Sequence, residues 1–463
     1  MHKKIKKMLK TPKIFIKDFF FKHNNKVSKF SPFRFKINRR FTVITAIYNS
    51  EEFLNDFFKS ITTQSIFFEK YIEIICVDDG SSDNSKQIIS QWKKKFPRNI
   101  KYFYKKNEGQ ASARNLGIQY AETAWITFID PDDFVHHDYF RQINRAIEQS
   151  HNPKIISAYL IFFMHSQKAF KDTHPLRYRF SKKNNVVDIK TLNEHINLSA
   201  SSSFFLRNHI IQNNISFDVN VKPNFEDGKF ILDYIRAISD GSIIFTKYAK
   251  YFYRKHNNST LDKSWQNPKK FYDIFIYGFL PALQAYSNKS KAPLYVQITV
   301  LYDLNNYINY LKNNEKKLSF LNKAEKNTFF SLLRETLTYI DNNTIINYKN
   351  IPITNKMIIL LLIKSNEDIG IHINKFDHIS NQIKISVFSS DLALIDAFLN
   401  ISDSKEENKI FTNYFNNQEL YETNIVLNKN IKKLLPHFHE YEASNFILLK
   451  KAELHFLNKN QNG

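Results

Sequence analysis

Three short runs carry carboxylates at places where chemistry can use them. The first is VDDGSSDNS, Val77 to Ser85, an apolar strand pattern that ends in two aspartates and passes through a Gly-Ser turn into a helix start. A carboxylate there can accept hydrogen bonds from a base N–H, and Asp83 or Ser82 can cap the helix that follows. Taken alone, the pattern fits a ligand-holding turn and a merely capped βα turn equally well. The second run is FIDPDDF, Phe128 to Phe134, again closing an apolar strand. Pro131 stiffens the turn between Asp130 and Asp132, so their oxygens can converge on one hard divalent cation, Mg²⁺ or Mn²⁺. Three crowded carboxylates repel one another unless a cation or a shared proton intervenes; an exposed acidic loop is the alternative. The third run, NFEDGKFILDYI, places Glu226 and Asp227 at the start of a helical pattern. A helix N-terminus favours an ionised carboxylate, the form a general base needs before reaction, and it equally suits an acid that only complements the helix dipole.

The elements that must position these residues follow from the spacing of apolar side chains. FTVITAIYN, YIEIICVDD, IKYFYKK and AWITFIDPDD have the character of strands, and LNDFFKSITTQ, SKQIISQWKKKF and QASARNLGIQYA between them have helical spacing. This βαβα alternation predicts an α/β fold, a mostly parallel, Rossmann-like sheet covered by helices, with ligands at the C-terminal edge of the strands. Past Trp265 the pattern turns helical: Pro268 can open a helix, and QITVLYDLNNYINYLKNN and KNTFFSLLRETLTYI carry apolar residues at three- and four-residue spacing. From about Gly370 the runs KISVFSS, TNIVLN and NFILLKKAELHFL look extended again. The expected organisation is a basic amphipathic segment over 1–40, a catalytic domain over 41–264, a helical region over 265–369 and a small β-containing module over 370–463.

With the four segments VITAIYNSEEFL, VDDGSSDNS, NEGQASARNLGI and DPDD in this order, residues from about Phe41 to Thr260 resemble the family 2 glycosyltransferases of the GT-A fold, the type that builds bacterial surface polysaccharide. The resemblance implies an inverting transferase that moves a sugar from a nucleotide-diphosphate donor, a UDP-sugar, to a hydroxyl of a cell-surface glycan of the capsule, lipopolysaccharide or teichoic-acid type. It also implies roles. Tyr48 and Asp79 would hold the nucleotide base, Arg114 would assist at the base or the phosphates, Asp130 would approach the ribose, and Asp132 would ligate Mn²⁺ or Mg²⁺. Asp227 of the Glu226–Asp227 pair would be the catalytic base. Arg254 and His256, which follow the strand-like YAKYFYRKH, would contact the donor diphosphate; a lone histidine is the weaker choice as a metal ligand. Two other readings stay open: transfer of a polyol phosphate into a teichoic-acid-like polymer, and a non-catalytic glycan-binding subunit, the latter disfavoured because DPDD and FED are intact.

The bulk numbers limit the remaining classes. The 463 residues exceed one ordinary core and give room for two or three domains. One cysteine, Cys76, allows neither an intrachain disulfide nor a cysteine-based zinc site, which fits a reducing compartment. A formal charge of +23 calls for a polyanionic neighbour. No recognised nucleic-acid module accompanies that charge, so nucleic acid is not expected as a partner. The basic residues of Met1 to Arg40 are interleaved with Ile5, Met8, Leu9 and Phe19 to Phe21, a pattern that suits adsorption to an anionic membrane surface, or else a solvated tail. The longest aliphatic run, Met357 to Ile363, is far below the roughly 18 residues of a membrane span, and no signal peptide is evident. The expected setting is the cytoplasm, peripheral on the inner face of the membrane, with a glycan or lipid-linked glycan acceptor and with oligomerisation possible.

Overall fold

The structure, a computed structural model, describes residues 41–182, 184–256, 263–286, 291–364, 367–377, 382–399, 409–428 and 446–449. The basic segment 1–40 therefore lies outside the described residues. The described chain forms two compact units divided after Gly278. Residues 265–278, which the compositional boundary at residue 264 assigns onward, group with the first unit. There Lys270 Nζ donates to Asn224 Oδ1 at 2.6 Å, just ahead of the FED run.

The first unit is built on one sheet. Strands β1 (Phe41–Ile47), β2 (Ile72–Asp78), β3 (Ile100–Tyr104) and β4 (Trp125–Thr127) lie parallel in the order β3-β2-β1-β4. Beyond β4 the order continues through β9 (Ser203–Leu206), β6 (Pro153–Met164) and β10 (Ser242–Lys255) to the two-residue strand β5 (Phe134–Val135). β6 and β10 are parallel to each other, while β9 runs antiparallel to both its neighbours and β5 antiparallel to β10. Two further strands, β7 (Ala169–Lys171) and β8 (Asn184–Asp188), attach to β6 and β10.

Strands covered on both faces need continuous apolar runs rather than alternation, and all seven residues of β2 are buried. The intervening helices are amphipathic: α1 (Leu54–Thr62) buries Leu54, Phe57, Phe58 and Ile61, α2 (Ser85–Lys95) buries Ile89, and α3 (Gln110–Tyr120) packs on β1 and β2. Beneath the sheet, Phe41 meets Phe140 and Phe204 at ring separations of 5.6 and 5.5 Å, so part of the unusual phenylalanine content is core.

α3 approaches the sheet closely because Gly117 has no side chain. A Cβ there would stand 2.3 Å from Ile44 Cγ2 on β1. This contact fixes how deep Arg114, one turn earlier on α3, reaches beneath the loops. A helix over Glu226–Arg236, α4, completes the elements that carry the three acidic runs.

The second unit combines helices over Leu294–Leu311 and Lys323–Thr338 with a five-stranded antiparallel sheet. Asn322 and Glu325 close a reciprocal cap at the start of the latter helix. The sheet order is β13-β14-β12-β11-β15, where β11 is Ile369–Asp377, β12 Gln382–Ser389, β13 Phe411–Phe415, β14 Gln418–Asn428 and β15 Phe446–Leu449. The aliphatic run ending at Ile363 is buried in this unit, and among the described residues no helix is long and apolar enough to cross a membrane.

Gly117→Ala should destabilise the fold by about 1–3 kcal/mol through overpacking against Ile44, despite the better helix propensity of alanine. In an Ile44→Ala background the same substitution should cost much less. Denaturant unfolding of the four proteins measures both, and equal costs in the two backgrounds would contradict this packing.

Candidate active site

The turns after β1 and β2 are stitched to each other by side chains. Asn49 adopts a left-handed conformation (φ 47°) that its short amide side chain tolerates. Its Oδ1 accepts the Ser82 N–H at 2.8 Å, and its own N–H donates to Ser81 Oγ at 3.1 Å. Glu51 and Asp83 exchange backbone contacts across the same gap: Glu51 N–H donates to Asp83 Oδ2, and Asn84 N–H donates to Glu51 Oε2, both at 2.9 Å. Asp83 also accepts from the Ser85 N–H at the start of α2, but the N-cap position is taken by Asn84, whose side chain makes no capping bond. Tyr48, beside these turns, is 54% exposed and offers an open ring face.

The two aspartates that end β2 do different work. Asp78 closes its own turn, accepting from the Ser81 N–H and the Tyr102 hydroxyl. Asp79 reaches across to the loop before α3, where its oxygens accept from Lys105 Nζ (2.9 Å), the Glu108 N–H (3.1 Å) and the Gly109 N–H (2.7 Å). Gly109 makes this possible with a φ of 100°, open to glycine and rare for other residues. Asp79 thus fastens the start of α3, and the next residue, Gln110, donates to Asp130 at 3.0 Å.

The DPDD turn divides its acids three ways. Asp130 Oδ1 accepts from Arg114 Nη2 at 2.8 Å as well as from Gln110. Asp132 is about a third exposed, and its Oδ2 lies 3.0 Å from His256 Nε2. Asp133 is buried and anchors the turn to β10, accepting from the Tyr251 hydroxyl (2.6 Å) and the Arg254 N–H (2.7 Å). Burial, reinforced by the charges of Asp132 and Asp130, holds the Asp133 carboxyl well above the usual carboxylate range.

Arg254, which the resemblance assigns to the donor diphosphate, is enclosed. Its guanidinium donates to the Asp132 carbonyl (2.6 Å) and Asp56 Oδ2 (3.0 Å), meets His165 Nδ1 at 3.0 Å, and lies over the rings of Phe53, Phe134 and Phe163 at 5.0–5.4 Å. It braces the DPDD turn from beneath. His256 packs its ring on Phe53 at 4.9 Å while facing Asp132.

One cation joins the DPDD turn to the FED run. Arg114, 2% exposed, donates from Nη1 to Asp227 Oδ1 at 2.5 Å and from Nη2 to Asp130 at 2.8 Å, with Glu226 Oε1 at 3.9 Å. Its flat face rests on the Phe217 ring at 5.2 Å. The other oxygen of Asp227 accepts from the Ala200 N–H at 2.8 Å, so a loop that sequence reading passes over positions this acid. Phe225, at the N-terminus of α4, is held left-handed (φ 78°), an unusual state for a bulky residue. Gly228 and Gly278 leave room for its ring: a Cβ at either would approach it to 2.7 or 3.0 Å.

Three acids around one guanidinium leave an excess of negative charge, and the acid pKa values record it. Burial, with the charge of Asp227, pushes Glu226 up to about 7 against the pull of Arg114. Burial likewise raises Asp130 to about 6, with Arg114 opposing and Asp132 and Asp227 adding to the rise. Burial works against the Arg114 charge too, but Asp227, Asp130 and Glu226 outweigh it and raise its pKa still further. Of the residues the sequence singles out, the structure therefore gathers Asp130, Arg114, Glu226 and Asp227 into one cluster and Asp132 with His256 into a second. It ties Asp79 to the first through the loop 105–110. Among the described residues, no group of three or more His, Cys, Asp or Glu side chains is disposed to hold a metal ion.

Comparison with known proteins bears on the family and the fold. Residues 42–213 match the family model described as Glycosyl transferase family 2. The chain is 32% identical over 321 residues to the minor teichoic acid biosynthesis protein GgaB of Bacillus subtilis (strain 168), covering 68% of this chain and 34% of GgaB, so it spans about a third of that protein's length. It is 28% identical over 390 residues to GgaA of the same organism, covering 81% of this chain and 84% of GgaA. In fold it is similar to the crystal structure of S. aureus TarS 1-349 in complex with UDP-GlcNAc, with a TM-score of 0.51 and 17% identity, covering 66% of this chain and 83% of that one.

A raised folded-state pKa has a signed consequence for stability. The folded chain keeps the Glu226 proton that the unfolded chain releases, so this group's contribution is fully present below the ordinary value of 4.5 and is lost as pH rises through about 7. Glu226→Gln stays neutral throughout. Its melting temperature relative to the parent should therefore climb between pH 5 and pH 8 in metal-free buffer; a pH-independent difference would contradict the raised pKa.

Proposed function

We propose, on the premise that this chain belongs to the family 2 glycosyltransferases, that it moves a sugar from a UDP-sugar donor to a hydroxyl of a teichoic-acid-type surface glycan, with inversion at the anomeric carbon. The observation that carries the reading is the Arg114 cluster, which holds the DPDD turn and the FED acids against one guanidinium. A donor held at the turn would then stand beside a fixed carboxylate.

Asp227 is the base. Its contacts with Arg114 and the Ala200 N–H fix its orientation. A carboxylate offers about four lone-pair sites, so these two bonds leave capacity for an acceptor hydroxyl. As that hydroxyl attacks the anomeric carbon, its proton passes to Asp227 and the bond to the leaving nucleoside diphosphate breaks. Displacement from the face opposite the leaving group inverts the carbon. Tyr48 presents its exposed ring to the base, and Asp79, buried in its bonds to the loop before α3, serves by fastening that helix.

Asp132 and His256 suit a divalent cation, Mg²⁺ or Mn²⁺: a partly exposed hard oxygen donor faces an imidazole nitrogen, and Asp132 Oδ1 has no hydrogen-bond partner among the described residues. Cations at phosphate sites commonly take only one or two protein carboxylates and complete their shell with phosphates and water. When bound, such an ion would offset the charge that builds on the departing diphosphate.

The names of GgaB and GgaA support the teichoic-acid class of acceptor. TarS, of similar fold and crystallised with UDP-GlcNAc, supports the uridine donor. A polyol-phosphate transferase is the competing reading, since a poly(glycerol phosphate) polymerase of Staphylococcus epidermidis is 23% identical over 350 residues. Incorporation of phosphate from a cytidine-diphosphate polyol, without sugar transfer, would establish it.

Two substitutions test the mechanism with a panel of nucleotide sugars and a teichoic-acid-type acceptor. Asp227→Asn should lower kcat by roughly 10² or more with donor affinity little changed; an active Asp227→Asn beside an inactive Glu226→Gln would reverse the assignment within the pair. Asp132→Ala should abolish transfer and the metal-dependent part of donor binding while the melting temperature stays near the parent's. Full activity of the parent in EDTA would remove the cation from the account.

A further inference from the structure

At the N-terminal ends of β2 and β3, on the edge of the sheet opposite the acidic clusters, the surface has a composition the transferase chemistry does not use. Phe67 is 80% exposed, the highest value among the large apolar side chains of the described residues. It precedes a short helix, Phe68–Tyr71, whose Phe68 is buried against Phe96 at 5.0 Å. Asn99 ties that helix to the end of α2, donating from Nδ2 to the carbonyls of Phe68, Glu69 and Ile72. The turn that carries Phe67 and the turn that follows α2 are therefore one continuous surface.

The same two turns carry exposed cations. Lys93, Lys94 and Lys95 end α2 and are all exposed, as are Lys70 in the Phe67 turn and Arg98 beside Asn99. Glu69 is the exposed acid of the same turn. Lys95 lies over the half-buried Trp92 and Phe96 rings at 5.2 and 5.5 Å, its stem covering aromatic surface while its head stays in water. The dipole of α2 accounts for basic residues in its last turn. It does not account for an uncovered phenylalanine in the adjoining turn.

We propose that this patch docks the folded domain on an anionic lipid surface, with Phe67 entering the headgroup region and the five cations meeting the lipid phosphates and carboxylates. An exposed aromatic side chain on a surface that also carries lysine and arginine is the combination that interfacial binding uses, apolar insertion plus attraction to anionic headgroups. A soluble polyanion such as the acceptor polymer would satisfy the cations and leave Phe67 without a role. The orientation that results rests on the proposed function. β2 has seven residues and spans ~23 Å at about 3.3 Å per residue, so a domain lying on this edge turns its acidic clusters away from the bilayer. It would act on acceptor chain that extends from the membrane into the aqueous phase.

Cys76 is buried and is the only cysteine, so a Phe67→Cys full-length chain can be labelled at one site with an environment-sensitive fluorophore. Lys106→Cys, exposed just beyond the opposite end of β3, is the control. With vesicles of phosphatidylcholine plus phosphatidylserine, the probe at residue 67 should shift to the blue and be quenched by quencher-bearing lipid; the probe at residue 106 should not. Phosphatidylcholine alone should leave both unchanged. Adding Lys93→Gln, Lys94→Gln and Lys95→Gln should raise the lipid concentration for half-maximal shift ten-fold or more. An unshifted probe at residue 67 on vesicles that bind the chain would show that another segment makes the contact and overturn the proposal. An equal shift with soluble polyphosphate would overturn it in favour of a polyanion site. Neither readout depends on catalysis, so failure here is distinct from failure of the transferase reading.

Discussion

The site depends on one buried guanidinium. Arg114 is the charge that allows Asp130, Asp227 and Glu226 to share a small volume, and it comes from a helix that the sheet holds at close range through Gly117. Removing water from three carboxylates is costly, and partial protonation is the expected response where compensation falls short. The upward shifts of Glu226 and Asp130 are that response. A second positive charge, the divalent cation proposed at Asp132 and His256, would relieve the same excess from the other side of the DPDD turn. Arg114 thereby links the part of the site that would hold the donor to the part that would activate the acceptor.

Much of the surrounding structure serves to keep that turn and that helix still. Asp133 and Arg254 lock the DPDD turn onto β10, Arg254 through hydrogen bonds above and three aromatic rings around it. Asp79 fastens the start of α3 through two backbone N–H groups and Lys105. Buried, fully partnered polar networks of this kind rigidify a site, whereas a half-partnered one would be a liability. The strained Phe225, seated between Gly228 and Gly278, shows the same economy on the FED side: backbone strain persists only where surrounding packing over-determines it.

The sequence makes some of this legible and hides the rest for definable reasons. The strands β1 to β4 and the helices between them stand out because a doubly covered parallel sheet requires unbroken apolar runs and its helices a 3.6-residue repeat. Asp79, Asp130, Asp132, Glu226 and Asp227 stand out because acids at strand and helix ends mark the functional edge of such a sheet. The partnerships do not. Arg114 meets Asp227 across 113 positions and Arg254 meets Asp56 across 198, and no local periodicity encodes a contact of that range. The division of labour within DPDD is hidden for the same reason, since only the pairing of β5 with β10 brings Tyr251 and Arg254 to Asp133. Ala200 contributes a backbone N–H, which leaves no trace in side-chain identity.

Arg114 is the compensating charge for the whole cluster. The direct measurement is the unfolding free energy of Arg114→Met, alone and combined with Asp130→Asn and Asp227→Asn. Breaking a buried ion pair by removing one partner costs about 3–5 kcal/mol because it leaves charge uncompensated. Arg114→Met alone should show a loss of that size, and neutralising the two aspartates in the same chain should restore most of it, as coupled residues depart strongly from additivity. A loss of less than about 1 kcal/mol, the scale of a surface substitution, or losses that simply add in the triple variant, would contradict the claim that this guanidinium holds the site together.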